Sequence, residues 1–282
     1  MKSTPTSISP EDASWSTDRA IEGVLKRDRI VVSGALALVV AASWVYILAG
    51  AGMGMSAFEM TAPSSGMGAM KMMAPAAWDF GYAVLMFFMW WVMMIAMMLP
   101  SAAPMVLLFA AINRKQRENA KPFVPTLIFA SAYLVVWAVF SLAAAGMQWG
   151  LQSVSLLSPM LTSTSALLGG ALLVAAGIYQ LTPLKQACLT HCRSPLQFIF
   201  TRWRNGPKGA FRMGLEHGAY CVGCCWFLMG LLFFGGVMNL YWIAGLAIYV
   251  LLEKTIPVGH WLGYAVGAGL ILWGGIVLAG VI

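Results

Sequence analysis

Two short stretches concentrate the side chains able to hold a soft metal ion or to do thiol chemistry. One is CLTHC, with Cys188, His191 and Cys192; the other is EHGAYCVGCC, with Glu216, His217, Cys221, Cys224 and Cys225. Together they contain all five cysteines and two of the three histidines of the chain. On a helix, positions 217, 221, 224 and 225 are i, i+4, i+7 and i+8 and share one face. At 1.5 Å per residue, Cys225 lies about 12 Å beyond His217 along the axis. Cys188 and Cys192 stand one turn apart in the same way. Thiolate and imidazole donors so spaced suit copper(I) in two- or three-coordinate geometry. They also allow tetrahedral zinc held by Cys188, Cys192, Cys221 and Cys224, or an iron–sulfur cluster. Two other readings compete. Cysteine is a good small buried hydrophobe, and two facing cysteine pairs can run a thiol–disulfide relay.

Methionine tips the balance toward copper. Residues 53 to 73 read MGMSAFEMTAPSSGMGAMKMM, with seven Met (Met53, Met55, Met60, Met67, Met70, Met72 and Met73) among Gly, Ala, Ser and Pro. A segment of loop composition has no core for these side chains to fill. Thioethers are soft, uncharged ligands that suit copper(I) and silver(I) and form no disulfides, so an exposed site in an oxidising compartment favours them over thiols. The run continues as Met86, Met89, Met93, Met94, Met97 and Met98, then Met105, so 14 of the 20 methionines lie between residues 53 and 105. Met86, Met89, Met93 and Met97 form one helical stripe, with Met94 and Met98 one position round. Against this stands methionine's ordinary use as a flexible apolar gap-filler.

The elements that must position these groups are membrane helices. The chain is 60% hydrophobic and only 10% charged, against roughly 25% charged for a soluble domain. The expected fold class is therefore all-α, a polytopic helical membrane protein. With roughly 20 apolar residues needed per crossing, seven spans are expected, with six the alternative: 30–50, 79–99 (extending past Pro100 to 110), 124–147, 165–182, 217–237, 239–256 and 261–281. The sixth is weakest, since Glu253 and Lys254 must sit near its end and snorkel. The first resembles a signal peptide but is longer than a secretory apolar region, and reads as a retained helix. Cleavage near residues 49–51 is the alternative.

Lys and Arg alternate between loops. The N-terminal tail carries five, loop 53–78 only Lys71, loop 111–123 four, loop 148–164 none and the segment 183–216 six. The positive-inside rule then gives a cytoplasmic tail over 1–29, a transmembrane domain over 30–282, a Met-rich external loop over 51–78 and a Cys/His-bearing cytoplasmic connection over 183–216. The expected location is a bacterial inner membrane. Within 183–216, Ser194-Pro195 reads as a helix start, and the apolar and basic residues after it as a short interfacial helix. Glu216 is a candidate orienting partner for the His217 ring, or an ordinary first-turn acid. The net charge of +7 reports topology; no soluble basic face suggests nucleic acid as a partner. No phosphate-binding motif suggests an ATP-driven pump.

The strings WWVMMIAMMLPSAAPM, YQLTPLKQACLTHCRSP and HGAYCVGCCWFLMGLLFFGGVMNLYW, followed by LEK, resemble a bacterial family of predicted metal-binding integral membrane proteins of unknown function. The likeness spans roughly residues 78 to 275. The resemblance implies metal binding by Cys188, Cys192, His217, Cys221, Cys224 and Cys225. The functional expectation is a copper(I)-handling protein for homeostasis, transport or loading of a partner cuproenzyme or periplasmic copper protein. Its metal route would run from Met53, Met55, Met67, Met70, Met72 and Met73, through Met93, Met94, Met97 and Met98, to the Cys/His cluster. The alternatives are a thiol–disulfide or metal-dependent oxidoreductase built on the same cysteines, and a structural subunit in which they merely pack.

Overall fold

The computed structural model describes residues 10–61, 77–118, 126–158, 161–257 and 259–280. The helices in chain order are α1 (Pro10–Leu48), α2 (Ala57–Thr61), α3 (Phe80–Glu118), α4 (Thr126–Ser153), α5 (Ala166–Leu181) and α6 (Pro183–Arg193). They continue as α7 (Pro195–Arg202), α8 (Gly206–Gly230), α9 (Leu232–Gly235), α10 (Leu240–Thr255) and α11 (Gly259–Leu278). Among the described residues the only β pairing is an isolated bridge between Leu157 and Ser163. The protein is an all-α polytopic helical membrane protein. Met67, Met70, Met72 and Met73 lie outside the described residues.

Five helices are long and apolar enough to cross a bilayer, and a sixth crossing arises if α5 and α6, bent by 65° at their junction, count as one. The expected sixth span, 239–256, needs correction. α10 has 16 residues, about 24 Å of helix against a hydrocarbon core of ~30 Å. Nor do Glu253 and Lys254 snorkel from its end, because both are buried, at 1% and 8% exposure. The helix nonetheless links two ends of the bundle. Leu240 N–H donates to Thr61 Oγ1 of α2 at 2.8 Å, while the last turn is held against α6 and α3 by Glu253 and Lys254.

The cytoplasmic connection expected over 183–216 is itself helical, made of α6, α7 and the first turns of α8. Thr182 caps α6, its hydroxyl accepting from Lys185 N–H at 3.3 Å, and Pro183 opens the helix. A proline there loses no bond, since the first N–H groups of a helix are unpaired anyway. The short helix expected after Ser194-Pro195 exists as α7, opened by Pro195, with Phe198 and Ile199 buried and Leu196 and Phe200 exposed.

Packing rests on small residues, as expected where lipid removes the hydrophobic gain from helix contact. A Cβ on Gly177 of α5 would stand 2.7 Å from the Gly267 carbonyl oxygen of α11, and one on Gly170 would stand 3.1 Å from that of Gly274. Residues 170 and 177 thus face 274 and 267, and the two helices run antiparallel with their backbones in close contact. α3 takes the interior. Met86, Met89, Met93, Met94, Met97 and Met98 are all 0–1% exposed and share one apolar core with Cys192, Cys221, Cys224 and Cys225.

Candidate metal centre

The second cysteine group lies inside α8, which starts at Gly206, well before the expected start of the span at residue 217. Cys221, Cys224 and Cys225 are each 1% exposed. Their common helix face is confirmed by two thiol contacts: Cys224 and Cys225 donate to the Cys221 carbonyl at 3.1 and 2.9 Å. The first group is helical too, on α6, and this helix packs on α8. Cys192 is buried in the same apolar core as Cys221 and Cys224. Cys188 is half-buried and rests over Gly223, where a Cβ would meet its sulfur at 2.9 Å. Only glycine at 223 lets α6 settle this close. All five cysteines are free thiols.

The methionine stripe ends at this cluster. Cys225 Sγ lies 3.8 Å from Met98 Sδ. At the other end, about 18 Å away along the α3 axis, the Met86 thioether accepts from Gln148 Nε2 at 3.2 Å. Two side chains that the spacing of Cys and His did not single out complete the surroundings of Cys221. Tyr133 Oη is 3.2 Å from its sulfur and also donates to the Met98 carbonyl at 3.3 Å. Lys254 Nζ donates to Cys221 Sγ at 3.0 Å and to Ser101 Oγ at 3.2 Å. A buried ammonium is costly without compensation. Here its partners are a hydroxyl and a thiol, so a lysine Nζ stands directly beside the sulfurs of the centre. Lys254 was visible in the sequence as a charge in an apolar run; Tyr133 carried no such signal.

The histidines divide. His217 is 3% exposed, walled by the rings of Phe129, Tyr133 and Phe198. Among the described residues its Nδ1 finds no hydrogen-bond partner. His191 turns away from the cysteines. Its Nδ1 is 2.9 Å from the Ala187 carbonyl, and its ring stacks on Tyr220 with centroids 4.2 Å apart. Glu216 does not orient His217. It pairs with Arg204 and Arg212 at 3.3 and 3.2 Å.

Among the described residues no three His, Cys, Asp or Glu side chains close into a metal-ion cage. The reason is local. Cys224 and Cys225 turn their thiols back onto the helix backbone, and His217 faces the aromatic wall. Closing the cage takes side-chain rotation, with methionine sulfur as a further donor. Met53 and Met60 pack against the same core from the Met-rich segment, while Met55 is half-buried.

A family model described as PpoB2, copper chaperone, matches residues 87–277. The chain belongs to this family. Membership in this family gives the chain a copper-related role. The matched stretch takes in every cysteine, His191, His217 and the methionines from Met89 to Met105, and leaves out the Met-rich segment 53–73. Comparison with the curated proteins and with the solved structures finds no match.

Proposed function

We propose that this chain carries copper(I) within the membrane and hands it to a copper protein. The ion is taken up by the thioethers of the 53–73 segment, of which Met53 and Met60 pack against the described core. It passes along Met86, Met89, Met93, Met94, Met97 and Met98, and is held by Cys192, Cys221, Cys224 and Cys225 with His217 in reserve. The observation that carries this reading is the contact of Met98 with Cys225, which makes one sulfur-lined path of the two sets. Thiolate sulfur binds copper(I), zinc and iron alike, and it is the neighbouring thioether sulfur, a soft uncharged donor, that favours copper(I). Weak, closely spaced sites permit passage because each can release what it binds. In the basic-inside orientation, the Met-rich segment faces the outer compartment of a bacterial inner membrane and the receiving partner is a periplasmic copper protein.

The test is metal content and coordination after purification under reducing, anaerobic conditions. About one copper per chain with an all-sulfur X-ray absorption signature is expected. A C221S/C224S/C225S variant should lose it, and a variant with Met93, Met94, Met97 and Met98 changed to Leu should load more slowly. Zinc in place of copper, or an empty protein with inter-helix disulfides, would overturn the reading.

A further inference from the structure

A second site lies away from the sulfur path, where α1 meets the end of α3. A cavity of about 650 Å³ is lined by Arg29 of α1 and by Pro100, Ala103, Pro104, Leu107, Leu108, Ala110, Ala111 and Arg114 of α3. Its lining is apolar from Pro100 to Ala111, and its two charged side chains are Arg29 and Arg114. The apolar stretch is eleven residues of rise, about 16 Å, which equals the depth of one hydrocarbon leaflet, ~15 Å. In the sequence Arg29 stands where the apolar run of α1 begins and Arg114 where that of α3 ends. The positive-inside rule assigns both to the basic side of the membrane, where lipid phosphates lie.

We propose that this groove binds an anionic phospholipid, with its phosphate between Arg29 and Arg114 and one acyl chain along Pro100–Ala111. Three features fit this occupant. The sequence around the two arginines carries seven basic residues (Lys26, Arg27, Arg29, Arg114, Lys115, Arg117 and Lys121) against Asp28 and Glu118, so the site favours negative charge. Guanidinium groups pair with phosphate oxygens through paired N–H donors. Basic pockets between membrane helices on the basic side of a protein are suited to acidic lipid headgroups. The helix is shaped for it as well. Pro100 and Pro104 lie inside α3, so the carbonyls four residues earlier have no N–H partner from them, and small residues at 103, 110 and 111 keep this face shallow.

The test counts lipids retained by the full chain in detergent by native mass spectrometry, with phosphatidylglycerol and phosphatidylcholine as probes. Phosphatidylglycerol should be retained and phosphatidylcholine lost. Arg29→Gln should weaken phosphatidylglycerol retention roughly 5-fold, and Arg29→Gln with Arg114→Gln about 30-fold. Ala103→Leu, which narrows the groove and keeps both charges, should also weaken it. Arg114 engages another group of the protein, so circular dichroism accompanies the double variant. If that variant misfolds, the exposed Arg29→Gln and the Ala103→Leu results decide. Equal retention of both lipids, unchanged retention in the folded variants, displacement by millimolar inorganic phosphate, or a second copy of the chain occupying the groove would each overturn the proposal.

Discussion

Replacing Lys185 by Met should destabilise the protein far more than replacing the whole ion pair to which it belongs. Lys185 is 0% exposed and donates to Glu253, itself 1% exposed, and to Gln180 Oε1. With the ammonium gone, the Glu253 carboxylate keeps the Tyr249 hydroxyl at 3.0 Å as its partner and sits uncompensated in the interior. Removing one member of a buried pair typically costs about 3–5 kcal/mol, whereas exchanging both for apolar groups is often neutral. Lys185→Met should therefore cost about 3–5 kcal/mol, and Lys185→Met with Glu253→Leu within ~1 kcal/mol of the parent. The assay is reversible unfolding in mixed micelles, followed by tryptophan fluorescence and circular dichroism, closed into a double-mutant cycle. A single variant within ~1 kcal/mol of the parent, or a double variant as unstable as the single one, would refute the reasoning. Because the pair joins α6 to α10, the single variant should also loosen Cys192 and make it faster to alkylate.

Three further outcomes are expected. Gly223→Ala puts a methyl group 2.9 Å from Cys188 Sγ and should cost about 1–3 kcal/mol by overpacking; Gly269→Ala, with nothing within 4 Å, should be neutral or stabilise by up to ~1 kcal/mol in the same melts. Met98→Leu and Cys225→Ser should each weaken copper retention, and the double variant should do no worse than the stronger single one, since both remove the same junction; competition with a colorimetric copper(I) chelator reads this, and full additivity would argue against a shared site. The Glu59 carboxylate is held below its usual range by the Ser56 N–H at 2.7 Å and then the Ser56 hydroxyl at 2.9 Å, a capping box for α2. The stability it lends α2 is present above the ordinary carboxylate pKa and is lost as pH falls through the lowered folded value; Ser56→Ala should move the Glu59 titration upward in an NMR pH series, and an unmoved titration would show that the hydroxyl plays no part.

What could be read from the chain was whatever depends on local periodicity and composition. The i, i+4, i+7, i+8 face of α8, the methionine stripe of α3 and the short helix after Ser194-Pro195 follow from helix geometry alone, and all three are present. The span count was less legible. Length decides it at α10, where 16 residues and two buried charges depart from the snorkelling that a lone helix would need. Lys254 found a thiol and a hydroxyl on other helices, a solution no local pattern displays. His191 and Glu216 found their partners in the same way. Their positions on the helices were right, but neighbouring elements offered Tyr220 to one and two arginines to the other. Gly223 and Tyr133 were silent because a close approach and a buried hydroxyl are set by which helices meet.

The bend between α5 and α6 has a mechanical consequence. α5 is locked to α11 through glycine backbone contacts, while α6 departs from it at 65° just after Thr182. Cys192, ten residues beyond that point, rides at the tip of a lever about 15 Å long. A rotation of about 10° at the pivot carries its sulfur roughly 2.6 Å, comparable with the ~2.3 Å of a zinc–thiolate bond. Such a swing would be enough to add or withdraw one sulfur from the cluster on α8, and it is resisted by the Lys185–Glu253 pair and by Arg193, which donates to the Ile256 and Pro257 carbonyls.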